Sequence, residues 1–133
     1  MKKQWIILII LVAILTGCGN TKTLTCTTGA DDGVEEIYTF KFTDEKLKTI
    51  IAKEIVEMES VEEAEEYKKQ AEEDMKLFAN QSLTTKVTLK DKTVTSVIEV
   101  KVEDLKDEDK ADYENVTYEE MKKNSEKTGL SCK

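Results

Sequence analysis

Residues 83–102 read Leu83-Thr84-Thr85-Lys86-Val87-Thr88-Leu89-Lys90-Asp91-Lys92-Thr93-Val94-Thr95-Ser96-Val97-Ile98-Glu99-Val100-Lys101-Val102. Successive side chains of a strand point to opposite faces. Leu83, Thr85, Val87 and Leu89 therefore share one face, and Val94, Ser96, Ile98, Val100 and Val102 continue the alternation on the return. With Lys90-Asp91-Lys92 as the turn, the stretch is a β-hairpin with one face presented to a core.

What covers that face comes just before it. Ser60-Val61-Glu62-Glu63 has the form of a capping box, in which the hydroxyl accepts from the third amide and Glu63 reaches back to the cap. Val61, Ala64, Lys68, Ala71, Met75 and Phe78 follow at steps of three and four, an apolar stripe at helical period in which the Lys68 stem can still pack. Tyr67 flanks the stripe. Glu65–Lys69 and Glu72–Lys76 are favourably oriented i,i+4 pairs. Asn80 is the expected end of the helix. With fewer than three heptads, the stripe is read as packing against a sheet and not as a coiled coil.

Upstream, Thr23 to Thr28 reads as a strand, and Gly29-Ala30-Asp31-Asp32-Gly33 as a turn with two glycines available for positive φ. Val34 to Phe42 is a second strand, with Val34, Tyr38, Phe40 and Phe42 on one face and Glu36 the exception among them. Thr43-Asp44-Glu45-Lys46 turns the chain again. Leu47 to Met58 fits either a helix face or a long edge strand. Its β-branched content and short approach favour a strand in a three-stranded meander. Downstream, Asp104 to Asp112 reads as a charge-dense loop. Thr117-Tyr118-Glu119-Glu120 offers a second capping box into a short helix to about Glu126, with Met121 inward and Gly129 past its end. The expected fold is α+β: an antiparallel sheet of about five strands, one long helix packed on one face, and a short C-terminal helix.

The chain starts differently. Lys2 and Lys3 precede an unbroken apolar run from Trp5 to Leu15, then Leu15-Thr16-Gly17-Cys18. Eleven helical residues span about 17 Å, short of the roughly 30 Å hydrocarbon core, so the pattern is that of a secretory leader. The Leu-Thr-Gly-Cys ending resembles the lipobox of bacterial lipoproteins. That resemblance implies cleavage before Cys18 and a diacylglyceryl group on its thiol. The expected organisation is a leader at 1–17, a lipidated tether at 18–22 and one α+β extracytoplasmic domain at 23–133. It would be anchored on the outer face of the cell membrane. An ordinary signal peptide and an uncleaved anchor are the other readings, and neither requires a cysteine there.

Removing 17 of the 133 residues leaves 116, enough for one modest core. Losing Lys2 and Lys3 with them takes the formal charge from −8 to −10. Such a domain is repelled by nucleic acid and by anionic headgroups, which argues against a nucleic-acid partner and leaves the lipid as the attachment. Of the three cysteines, Cys26 and Cys132 remain after Cys18. In an exported protein they form a candidate disulfide between the two ends of the domain. Two free thiols are the alternative. A redox-active pair is disfavoured, for want of a Cys-x-x-Cys spacing or a basic cluster.

The order of elements over residues 22–132, with Cys26 near the start and Cys132 at the end, is similar to the YehR-like bacterial lipoproteins. This resemblance brings no activity with it and no functional residue beyond Cys18.

Histidine, arginine and proline are absent, which removes the commonest general base, the commonest zinc ligand and the bidentate anion clamp. No nucleophile elbow, phosphate-binding glycine loop or Ser-x-x-Lys signature occurs. Aromatics are 6% of the chain, too few for the cleft that a carboxylate-pair glycosidase needs. The chain is therefore expected to be no enzyme and to use no cofactor. Asp104, Asp107, Glu108, Asp109 and Asp112 supply hard oxygens suited to Ca²⁺, but without the ordered loop spacing and with Lys106 and Lys110 among them. Asn80-Gln81-Ser82 and Asn115-Val116-Thr117 match a glycosylation sequon that has no evident role in a bacterial lipoprotein. Tyr38, Tyr113 and Tyr118 are candidates for a recognition surface, with core packing the competing role. The function expected is a tethered, non-enzymatic module binding a partner protein at the cell surface or a small ligand. A structural envelope-maintenance component is the alternative, and a Ca²⁺-binding surface protein a more distant one.

Overall fold

The computed structural model describes residues 20–30, 32–78 and 83–133. The leader, Cys18, Asn80 and the Asn80–Ser82 sequon lie outside the described residues. Six strands form one antiparallel sheet: β1 (Thr21–Thr27), β2 (Val34–Thr43), β3 (Lys46–Glu57), β4 (Leu83–Lys90), β5 (Thr93–Lys101) and β6 (Ser131–Cys132). Their order across the sheet is β4-β5-β3-β2-β1-β6. Among the described residues three helices accompany them: α1 (Val61–Lys76), α2 (Asp107–Glu114) and α3 (Tyr118–Lys127), with a 3₁₀ turn at Val102–Asp104.

The hairpin of residues 83–102 forms in the expected register, Lys90 opposite Thr93 and Leu83 opposite Val100. Asp91 takes φ +55° in its two-residue loop. The β2–β3 loop, Asp44-Glu45, has φ +51° and +66°, the left-handed pair whose twist suits a tight hairpin. Between Thr28 and Val34, Gly33 sits at φ +75°, its carbonyl accepting from Glu57 N at 2.8 Å. A Cβ there would stand 3.1 Å from the Glu57 carbonyl oxygen, so the position suits glycine on two counts.

Leu47–Glu57 is a strand, and an interior one, paired with β2 on one side and β5 on the other. This explains its mixed periodicity. Leu47 and Val56 are buried towards the helices, whereas Ile51 and Ile55 lie on the opposite face beside Ile37 and Val97. None of the described residues on that opposite face is buried. The core gathers on the helix side: Leu24, Cys26, Phe40, Phe42, Leu47 and Val102, with Ile50, Leu105, Tyr118, Met121 and Leu130 packed against it.

Three expectations change. The sheet has six strands, because Ser131–Cys132 joins the β1 edge: Thr25 and Lys133 exchange backbone hydrogen bonds at 3.1 and 2.9 Å, and Cys26 faces Cys132. β1 begins at Thr21, inside the segment read as tether. The charge-dense stretch is not a loop: after the 3₁₀ turn it forms α2, whose first-turn Asp107, Glu108 and Asp109 sit favourably at the positive end of the helix dipole.

The C-terminal helix is capped at both ends. Thr117 Oγ1 accepts from Glu120 N at 3.2 Å and Thr117 N donates to Glu120 Oε2 at 3.0 Å, the reciprocal box. At the other end Gly129 takes φ +96°, Gly129 N donates to the Glu126 carbonyl and Leu130 N to that of Ser125. This directs Leu130 into the core and Cys132 to Cys26. Cys26 and Cys132 form a disulfide, with Cα atoms 4.1 Å apart and a sequence separation of 106.

Candidate functional site

Helix α1 runs back across β5 and β4 on the core side of the sheet, starting from a cap in which Ser60 Oγ accepts from Glu63 N at 3.2 Å. Its stripe faces the sheet as the spacing requires, but the helix does not close down on it. Ala64, near the N-terminus, is its fully buried residue, while Ala71 and Met75 are half-buried and Phe78 is 43% exposed. The gap under the C-terminal half is a groove of about 390 Å³. Its apolar walls are Ala52, Ala71, Met75, Phe78 and Ile98, and its polar lining residues are Glu36, Tyr38, Lys53, Glu54, Tyr67, Gln70, Asp74 and Ser96.

Register explains how the carboxylates arrive there. Glu36 is directly opposite Glu54, which is directly opposite Ser96, so all three share one row on the face beneath α1. Tyr38 and Ala52, paired one step along, share that face, and Ile98 extends the row. Tyr38 Oη donates to Glu36 Oε2 at 3.0 Å, and Tyr67 Oη, from the helix, donates to Glu54 Oε1 at 2.7 Å. Gln70 Nε2 donates to Asp74 Oδ1 at 3.3 Å. The bond to Glu54, followed by burial and the charges of Glu54 and Asp74, pushes the Tyr67 hydroxyl up to about 12. Burial, with help from Glu36, raises Tyr38 as well. Both phenols therefore hold their protons at neutral pH. They act as donors with apolar ring faces, and neither serves as a base.

The residues singled out from sequence are distributed elsewhere, with one exception. Tyr38 lies in the groove. Tyr118 lies away from the groove: it packs edge-on against Phe42 with ring centroids 5.7 Å apart, and Lys22 Nζ sits 5.3 Å from its centroid. Tyr113 is 38% exposed. Asp104, Asp107, Glu108, Asp109 and Asp112 are solvent-exposed on the 3₁₀ turn and α2, and among the described residues no group of three His, Cys, Asp or Glu side chains converges to hold a metal ion. On α1 the ion pair that forms is Lys68–Glu72 at 3.3 Å, in place of the two Glu-to-Lys pairs expected from spacing. No helix among the described residues is long and apolar enough to cross a membrane.

Sequence reasoning missed Glu54, Asp74 and the pairing of Tyr67. One signal was available: Glu36 breaks the apolar face of its strand. The partner that makes the break meaningful is 18 residues away and meets it only through sheet register.

Comparison with known proteins bears on the fold. No protein-family model matches the chain, and no curated protein matches it by sequence. Two solved structures share its architecture. The Escherichia coli YehR protein, solved by NMR, superposes with a TM-score of 0.63 at 11% identity, over 87% of this chain and 93% of that one. An NMR structure of a protein from Streptococcus pneumoniae TIGR4 superposes with a TM-score of 0.59, also at 11% identity, over 88% and 87%. At that identity the likeness is one of fold. It agrees with the YehR-like order of elements read from the sequence.

Proposed function

We propose that this chain is an extracytoplasmic binding module, tethered to the cell membrane by lipid on Cys18, whose groove between α1 and the sheet receives a ligand. The observation that carries the binding role is the Tyr67–Glu54 bond across that groove. It fixes a polar pair from helix and sheet over a partly open apolar floor, the combination typical of a ligand site. The chemistry of the lining favours binding over catalysis. Its phenols keep their protons, and its carboxylates are engaged as acceptors of side-chain hydrogen bonds. The tether rests on the leader and on Leu15-Thr16-Gly17-Cys18. β1 begins at Thr21, three positions after Cys18 in the sequence.

Two measurements test the two halves. Cells fed a clickable fatty acid should label the wild-type chain and not Cys18→Ala; label absent from the wild type, or retained by the variant, removes the anchor. A photo-crosslinking residue at Gln70, inside the groove, should capture a ligand or partner on intact cells, while one at Lys41, exposed on the far side of β2, should not. Equal capture at both positions would remove the groove.

A further inference from the structure

Glu36 and Glu54 face each other directly across β2 and β3 beneath α1. Like charges in that cross-strand relationship repel. Each is held by a tyrosine hydroxyl in place of a cation, and Asp74 adds a third carboxylate from the helix. Among the described residues the ion pair that forms is Lys68–Glu72, and neither residue lines the groove. Lys53 is the one lysine of the lining. Its place between Ala52 and Glu54 in β3 sends its side chain to the opposite face. The groove thus gathers negative charge over an apolar floor with no lysine side chain of its own directed into it.

We propose that this groove binds a small alkylammonium cation, its charged head between Glu36 and Glu54 and its alkyl part against Ala52, Met75 and Ile98. The proposal rests on the reading of the groove as a ligand site and names the chemistry of its occupant. A hydrated divalent cation fits less well: it asks for six or more oxygen ligands in a compact cage, whereas these walls are mainly aliphatic and aromatic. An alkylammonium meets both halves of the lining, with apolar surface for the floor and charge for the carboxylates and the tyrosine faces. A volume of about 390 Å³ suits a small molecule or one inserted side chain. The same chemistry arises as a free amine or as a lysine side chain on a peptide.

The test is an NMR titration of the full chain in a nonionic detergent with n-butylammonium. n-Butanol serves as the neutral control, and a doubly capped lysine as the peptide source. Saturable shifts at Tyr38, Tyr67, Ala71 and Met75 with butylammonium, much weaker ones with butanol, and weakening by added salt are expected. Glu54→Gln should lower the affinity about tenfold or more, the scale of one charge-assisted hydrogen bond. Glu36→Gln reports the same loss should the first variant fail to fold. Tighter binding of the capped lysine assigns the occupant to a peptide, and tighter binding of butylammonium to a free amine. Equal binding of butanol and butylammonium overturns the cation and leaves the groove as a ligand site. No saturable shift with either amine overturns the proposal, and the Gln70 crosslink then decides separately whether the groove binds anything.

Discussion

Tyr67 on α1 donates its hydroxyl proton to Glu54 Oε1 on β3 across 2.7 Å, so a single hydrogen bond spans the opening between helix and sheet. Because Glu54 is also the cross-strand neighbour of Glu36, this bond ties the helix to the most negatively charged row of the sheet's inner face.

The bond should be visible in an alkaline titration. Tyr67 is raised from 10.0 to about 12, so its folded-state value lies above the unfolded one. Its contribution to stability is then complete below about pH 10 and is lost as the pH rises through about 12. Spectrophotometric titration of the four tyrosines should show a late-ionising group that disappears in Tyr67→Phe. An unchanged curve for that variant would contradict the assignment.

Removing the disulfide should weaken the fold severely. Cys26 and Cys132, at a sequence separation of 106, close a loop for which the chain-entropy model gives about 4–5 kcal/mol. For a protein of this size that is a large share of a typical stability of about 5–15 kcal/mol. Urea unfolding of the double variant Cys26→Ser, Cys132→Ser should show a midpoint far below that of the oxidised wild type. β6 should separate from β1 first, since it is a two-residue strand.

Phe42 is 1% exposed and supports Tyr118 of α3 from β2. Phe42→Ala should cost about 3–5 kcal/mol, the range for truncating a buried aromatic. Chemical denaturation measures the loss, and it should exceed that of Phe78→Ala, whose ring is 43% exposed at the mouth of the groove.

Gly33→Ala should cost about 1–2 kcal/mol. The position requires φ +75°, and the new methyl would stand 3.1 Å from the Glu57 carbonyl oxygen. Gly29→Ala is the matched control, since it has φ +78° but open space around it. Its smaller loss in thermal unfolding separates the close contact from the strain of positive φ.

Much of the fold could be read from local pattern. The hairpin of residues 83–102, the Ser60 cap and stripe of α1, the Thr117 capping box and the Gly129 terminus all depend on residues within a few positions of one another. Leu47–Glu57 was ambiguous for a physical reason. An interior strand of a sheet with one helix-covered face and one apolar-spotted open face shows neither clean alternation nor a clean helical stripe. Asp104–Asp112 was misread because acidic residues that signal a loop by composition also stabilise the first turn of a helix.

The candidate site was far less legible. Glu36 stood out as a carboxylate on an apolar strand face, and Tyr67 as a neighbour of the α1 stripe. Neither observation says that Glu36 meets Glu54 or that Tyr67 reaches it.

By itself the sequence determined the types and order of the main elements, the acidic charge and the disulfide candidates. These follow from periodicity, capping chemistry and residue counts, all properties of short range or of composition. Only the tertiary structure decided that β3 is an interior strand, that residues 131–132 complete the sheet, and that α1 stands off its floor to leave a negatively charged groove. Those depend on register and on how closely a helix can approach a sheet when tyrosines and glutamates occupy the space between, and both are set by contacts between residues distant in the chain.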